Sequence, residues 1–376
     1  MGAISGENDL QAFITYNKMT ENSIISIYPG FSSNYYGFYI LGIKRLFPNV
    51  KVNFEYTGYS FHYISYLAID YQGKHILIDA MDFPTVDPGP LDWCDVCGKV
   101  NIPHGLAEGP GKEKIMPIGP SFGIRLWPLF RALPLGLRNY LTANLHRKYF
   151  RPVMAGYFHQ YKSRLPEDSY FHTNSDPTYI FSVHSYWRQE PRANELRLTF
   201  LNCATNVTGI ELEGGFYSQI NIDDHAYIPF QVRSPYSLED YIKKTQRSLL
   251  VFNTPAVKGC LGWKLGEYLA LGKAIISTEI PQELPEPLEH GKHIHFVDGS
   301  KDSIEDAIAL IKDEKDYRLY LEENARAYYL KHLKPEKVMA KLLKASGAIS
   351  AMPSDMISYE GSAGYIHNTL SSNVDN

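Results

Sequence analysis

The residues whose types and spacing best suit chemistry fall in one stretch, 248–278 (SLLVFNTPAVKGCLGWKLGEYLALGKAIIST). An apolar run reads as a strand and leads into a loop bearing Gly259 and Gly262. Residues 263–271 then read as a short helix, ended by Gly272 before the next strand. Such a helix turns unpaired N–H groups and the positive end of its dipole toward the carboxyl edge of a sheet, a place that suits a diphosphate. Lys264, in the first turn, can add charge there, and Glu267, one turn on, can take a ribose or sugar hydroxyl. The alternative is plain: Glu267 pairs locally and Lys264 lies exposed.

Positioning these groups takes an alternating framework. Residues 23–28 (SIISIY) form a β-branched run that stops at Pro29-Gly30, and 35–47 follow with helical spacing, the opening of a βα unit. Strands are expected at 50–56, 67–70, 74–79 and 95–102, with a bend at Gln72-Gly73. After Asp176-Pro177, strands are expected at 179–184, 248–253, 273–278 and 293–297. Helices are expected at 195–202 and 237–245, with two more inside 304–343. This alternation predicts a parallel, doubly wound sheet. The fold expectation is therefore α/β with two Rossmann-like lobes and a cleft between them. The first lobe is 1–176, the second is 177–345, and 346–376 is a tail rich in Ser, Gly and Asn.

Composition narrows the function classes. The 376 residues are 44% hydrophobic and 21% charged, enough apolar material for two cores. Lys and Arg number 37 against 41 Asp and Glu, a net charge of −4 that excludes a basic nucleic-acid binder of the whole-protein kind. Four cysteines do not make a disulfide scaffold. Tyrosine is in surplus, 28 against 18 Phe and 4 Trp, and its flat face with a hydroxyl suits half-polar ligands such as sugars or nucleotides.

The segment WKLGEYLALGKAIIST resembles the carboxy-terminal signature of glycosyltransferases of the two-lobed GT-B fold, particularly the large family 4 type of bacterial polysaccharide and capsule assembly. The stretch 288–292 before HIHFV is similar to that family's loop–strand continuation, and the likeness spans about residues 178–340. The resemblance implies a hexosyl transfer from a UDP- or GDP-linked sugar, a co-substrate with no further cofactor and no obligatory metal. It makes Gly262, Trp263, Lys264 and Glu267 donor-binding residues. It also asks for a cation at the start of the second lobe. Among Arg188, Arg192 and Arg197, Arg188 lies nearest the strand end and is the residue expected on the diphosphate. One departure matters. Family 4 enzymes carry two glutamates eight positions apart, and Gly259 stands where the first would be. That opens inversion by a base from the first lobe. A nucleotide-sugar 2-epimerase and a non-catalytic glycan- or nucleotide-binding protein remain the alternatives.

The acceptor side needs a general base on a first-lobe loop. Asp79, Asp82, Asp95, His62 and His104 are candidates, and Asp82 is the expected catalytic residue. Cys94-Asp95-Val96-Cys97 is a lone CxxC without a second pair at zinc spacing, and Asp223-Asp224 is no Asp-x-Asp metal motif.

Charge is unevenly distributed. Residues 114–166 hold nine Lys or Arg and no Asp or Glu, leaving 28 basic against all 41 acidic residues elsewhere, a remainder of −13. Mixed with Phe122, Trp127, Phe130, Leu133, Leu137, Tyr140 and Phe150, this basic amphipathic segment fits an anionic membrane surface first; the alternative is a basic face that pairs with acidic residues of the other lobe or lines the cleft. A membrane surface would bring the enzyme to a glycan or lipid-diphosphate-linked acceptor. Residues 1–22 lack a basic n-region and an apolar core, and Pro29, Gly30 and Asn34 interrupt the apolar stretch 24–43. The expectation is a cytoplasmic protein with a peripheral contact to the inner face of the membrane.

Overall fold

The computed structural model describes residues 24–49, 51–54, 66–105, 111–218, 222 and 224–349. His62, Asp223 and tail residues 350–376 lie outside the described residues.

The first lobe is built on a six-stranded sheet of order β2-β1-β3-β4-β5-β6. Its strands are β1 (Ile24–Ile27), β2 (Lys51–Phe54), β3 (Leu67–Tyr71), β4 (Lys74–Asp79), β5 (Val96–Lys99) and β6 (Ile115–Pro117). Only β3 runs against its neighbours; the other pairings are parallel. Two-residue reversal is the reason. Gln72 and Gly73 both adopt positive φ, 55° and 73°, which closes a tight hairpin between β3 and β4. Among the described residues four α-helices accompany this sheet: α1 (Ser33–Leu46), α2 (Pro88–Trp93), α3 (Leu129–Thr142) and α4 (Phe150–Lys162).

The second lobe follows Asp176. It comprises β7 (Tyr179–Ser185), α5 (Pro191–Asn206), β8 (Glu211–Tyr217), α6 (Leu238–Arg247), β9 (Val251–Asn253), α7 (Trp263–Leu271), β10 (Ile275–Ser277), β11 (His295–Phe296), α8 (Lys301–Asp313) and α9 (Lys315–Tyr328). Strands β11-β10-β9 form one parallel ribbon and β7-β8 another. The two ribbons are linked where Leu249 N donates to Tyr179 O at 2.7 Å. The protein is thus α/β with two lobes, its sheets predominantly parallel.

Helix α2, strand β6 and two features of the second lobe depart from the sequence expectation. Strand β8 (ELEGGFY) has no counterpart there, because Gly214-Gly215 breaks the apolar pattern. Those glycines sit at φ of 130° and 133°, and a Cβ on either would overlap the Ser182 or Phe230 carbonyl oxygen. Second, the region 304–343 holds three helices rather than two. A π-turn at Tyr329–Leu333 ends α9, and α10 (Pro335–Ala345) crosses back onto the first lobe. Assigning 177–345 wholly to the second lobe is corrected to that extent: Gly42 of α1 lies so close to Pro335 that a Cβ would overlap its carbonyl oxygen.

This crossover explains why α1 is buried nearly all round. Tyr36, Phe38, Tyr39, Ile40 and Ile43 are closed to solvent between the sheet and neighbouring helices. Each such side chain is worth about 1.5–3 kcal/mol of transfer free energy. The lobes also meet at polar contacts: Leu261 N donates to Asn101 Oδ1 at 2.8 Å and Glu283 N to Ile102 O at 2.7 Å. No helix among the described residues is long and apolar enough to cross a membrane.

Candidate functional site

Between the lobes lies a cleft of about 450 Å³. Its position follows from topology, since the carboxyl ends of β7 and β9 in the second lobe face the ends of β4 and β5 in the first. Helix α7 aims its N-terminus here. Gly262 caps it without any side-chain cap, and Gly262, Trp263 and Lys264 all line the cleft. Gly272, at φ 62°, ends the helix as the sequence predicts.

A second chamber of about 490 Å³ adjoins the first. Arg164, His184, Ser185 and Lys264 line both, so the chambers meet at a cluster of cations. Asp82, Asn34, Asn101 and Ser121 give the first a polar wall beside the aromatic rings of Tyr35, Trp187, Phe252 and Trp263; the second is lined by Tyr217, Tyr236, Tyr241, Val232 and Leu238 with Ser237 and Glu239.

The cations are bonded only to neutral oxygens. Lys264 turns its ammonium inward and donates to the Val183 carbonyl. Arg197 is 6% exposed and donates to Thr254 Oγ1 at 3.0 Å, Ser185 O at 3.0 Å and Pro255 O at 3.5 Å. Its guanidinium also lies 4.8 Å from the Trp187 ring centre. Burial, then the Arg197 charge, pushes Lys264 down to about 7, while Glu267 pulls the other way. Burial holds Arg197 down at about 10. Burial with the Lys264 and Arg197 charges keeps His184 well below the usual imidazole range, so it is neutral, with Nε2 2.8 Å from Ser182 Oγ. No carboxylate lies within ion-pair distance of Lys264 or Arg197 among the described residues, so these cations beside a helix N-terminus can take an anion.

The structure places the sequence-selected residues unequally. Gly262, Trp263, Lys264 and Asp82 share the cleft. Glu267 does not reach it. Buried behind Lys264, it accepts from Tyr241 Oη at 3.3 Å, and burial raises its carboxyl above the ordinary value. Its position supports the Lys264 charge rather than a ribose. Arg188 is exposed and absent from the cleft wall, where Arg197 stands instead. A signal for this was present: Ala193, Arg197, Phe200 and Ala204 recur at helical spacing, so Arg197 interrupts the apolar stripe of α5. Arg197 rather than Arg188 lines the cleft because α5 leans its buried face, not its first turn, over it.

The base candidates separate cleanly. Asp79 is paired with Lys99 at 2.7 Å and accepts from Met81 N at 2.9 Å. Asp95 accepts from His75 N at 2.8 Å and ties strands together. His104 lines a different cavity. Asp82 alone of these described candidates lines the cleft, exposed, with the Cys260 thiol beside it. Cys94 and Cys97 are buried free thiols. No cluster of three or more His, Cys, Asp or Glu suited to a metal occurs among the described residues.

No protein-family profile matches the chain, and no curated protein matches it. Solved structures do overlap it. A glycosyltransferase from Rickettsia africae is 12% identical with a TM-score of 0.42, covering 72% of this chain and 69% of its own. HepE from Anabaena, solved with UDP-glucose, is 9% identical with a TM-score of 0.36, covering 72% of this chain and 98% of its own. The C-terminal domain of LpcC, a glycosyl transferase group 1 family protein from Francisella tularensis, is 10% identical with a TM-score of 0.34. It covers 43% of this chain and 95% of that domain. These overlays are loose, and the cleft's own geometry carries the functional reading.

Proposed function

We propose that this protein is a glycosyltransferase that moves a hexosyl group from a UDP- or GDP-linked sugar to a glycan or lipid-diphosphate-linked acceptor, in bacterial surface polysaccharide synthesis. One observation carries the reading: two adjoining chambers meet at a cation cluster beside a helix N-terminus. A nucleotide sugar has the same three parts. Its diphosphate fits Lys264, Arg197 and the first N–H groups of α7. Its nucleoside fits the tyrosine-lined chamber, where aromatic faces stack and hydroxyls bond. Its sugar then lies in the polar chamber beside Asp82.

The mechanism follows from that arrangement. The cations and the helix end stabilise the charge that grows on the departing diphosphate. Asp82 takes the acceptor hydroxyl proton as the oxygen attacks the anomeric carbon. At Gly259, where a second-lobe carboxylate would stand in the two-glutamate pattern, there is none, so a single displacement with inversion is the expected course.

The acceptor end of this reading involves a membrane surface. Phe130, Leu137 and Leu141 lie at helical spacing on the solvent face of α3, 73%, 44% and 65% exposed. Arg131 and Arg138 flank that stripe, and Arg147, Lys148 and Arg151 continue the charge toward α4. Apolar side chains standing out of a basic face suit an anionic leaflet, each cation worth about 1 kcal/mol near the surface.

The test is a panel of UDP- and GDP-sugars with release of nucleotide as readout. Release, raised by a lipid-linked glycan acceptor, supports the reading. Release with an epimerised sugar would point to a 2-epimerase instead, and binding without turnover to a non-catalytic binder.

A further inference from the structure

The cations credited so far belong to the second lobe, yet the cleft holds another from the first. Arg164 follows α4 and lines both chambers at their junction. Its guanidinium lies 4.7 Å from the ring centre of Trp263, the first residue of α7. Nε donates to Asn34 Oδ1 at 3.1 Å and Nη1 to Ser163 O at 3.2 Å, which fixes the plane of the fork. Nη2 has no hydrogen-bond partner among the described residues. Tyr35, also from the first lobe, meets Trp263 edge-on at 5.4 Å.

A separate feature protects this stack. Gly123 lies beneath it, and a Cβ there would overlap Arg164 Nε and come within 2.9 Å of the Trp263 ring. The glycine is needed for space. Burial lowers the Arg164 guanidinium below its ordinary value, with Glu267 opposing. Arg164 belongs to the basic segment 114–166, for which the sequence left a membrane surface and a cleft wall open; the fold puts this residue on the cleft wall.

We propose that Arg164 is a ligand-binding residue of the diphosphate site, so that the anion is held from both lobes at once and not by the second lobe alone. This rests on the nucleotide-sugar reading above. A guanidinium stacked on an indole keeps its outer N–H groups free and aimed, which suits a phosphate oxygen better than a mobile ammonium does.

Calorimetric titration of the full chain with UDP, GDP, inorganic pyrophosphate and uridine tests it. Arg164→Gln is expected to weaken the better-bound nucleotide and pyrophosphate about tenfold or more and to leave uridine unchanged, as loss of a charge-assisted phosphate contact requires. Arg164→Lys recovers part of the loss. Gly123→Ala, which keeps the charge and displaces it, weakens pyrophosphate in the same direction and decides the matter if Arg164→Gln does not fold. Wild-type affinity for UDP, GDP and pyrophosphate in Arg164→Gln overturns this inference while leaving the nucleotide-sugar reading standing. Absence of binding by the wild-type chain to all three overturns both.

Discussion

The ammonium of Lys99 sits 2.7 Å from Asp79 Oδ2, and neither residue is more than 1% exposed. The pair closes the carboxyl ends of β4 and β5 just below the cleft, where Ala80, Val100 and Asn101 form the wall. Burial raises the Asp79 carboxyl and the Lys99 charge lowers it, so the ion pair survives only as a unit. Lys99→Met leaves a carboxyl buried alone and is expected to cost about 3–5 kcal/mol. Thermal unfolding would show it. A Lys99→Met, Asp79→Leu double variant recovers most of that loss; an unchanged melting temperature for the single variant would contradict the buried-pair account.

Lys264 sets the pH dependence of ligand binding. Its ligand-free value near 7 is depressed, and a bound diphosphate raises it. Affinity for UDP or GDP is therefore full below 7 and falls as pH rises toward the bound-state value, by at most about tenfold per unit. Binding near pH 8 takes up a proton, which calorimetry in buffers of different ionisation enthalpy reads directly. No pH dependence between 6.5 and 8.5 would sink the assignment.

Asp82→Asn removes the proposed base and keeps its size. The expected loss in kcat is about 10²–10⁴-fold. The anomer formed by the wild type is inverted relative to the donor. Retention of configuration would refute a single displacement.

Phe130→Ser with Leu141→Ser removes the apolar stripe of α3 without touching charge, and Arg131→Glu with Arg138→Glu reverses charge while keeping the stripe. Each double variant should lose co-sedimentation with anionic vesicles, and the second should do so most steeply at low salt. Arg125 is half-buried, and its backbone N–H bonds Leu165 O, so it is not part of this test. Equal binding to neutral vesicles by every form would remove the membrane reading.

Gly42→Ala forces α10 away from α1, since its methyl overlaps the Pro335 carbonyl. Overpacking of this kind costs about 1–3 kcal/mol. Thermal unfolding reads it, and a wild-type melting temperature would show that the crossover helix adapts freely.

The sequence alone determined what depends on near neighbours. Alternating apolar runs and glycine stops placed β1, β4, β7 and β10 and the short helix α7, because strand and helix periods are local properties. Gly262, Trp263 and Lys264 were legible together for the same reason: they are consecutive, and a helix start carries its own N–H groups. What the fold decided is which charges meet across a distance. Arg164 and Trp263 are far apart in the chain and stack only because α4 ends at the cleft. Arg197 lines the cleft and Arg188 does not because helix rotation, which linear proximity does not encode, chooses the buried face. Glu267 fell behind Lys264 through the same one-turn geometry that first suggested it, since a residue one turn further into α7 lies deeper in the lobe. Local pattern fixed the helix end, and long-range packing fixed the charges gathered around it.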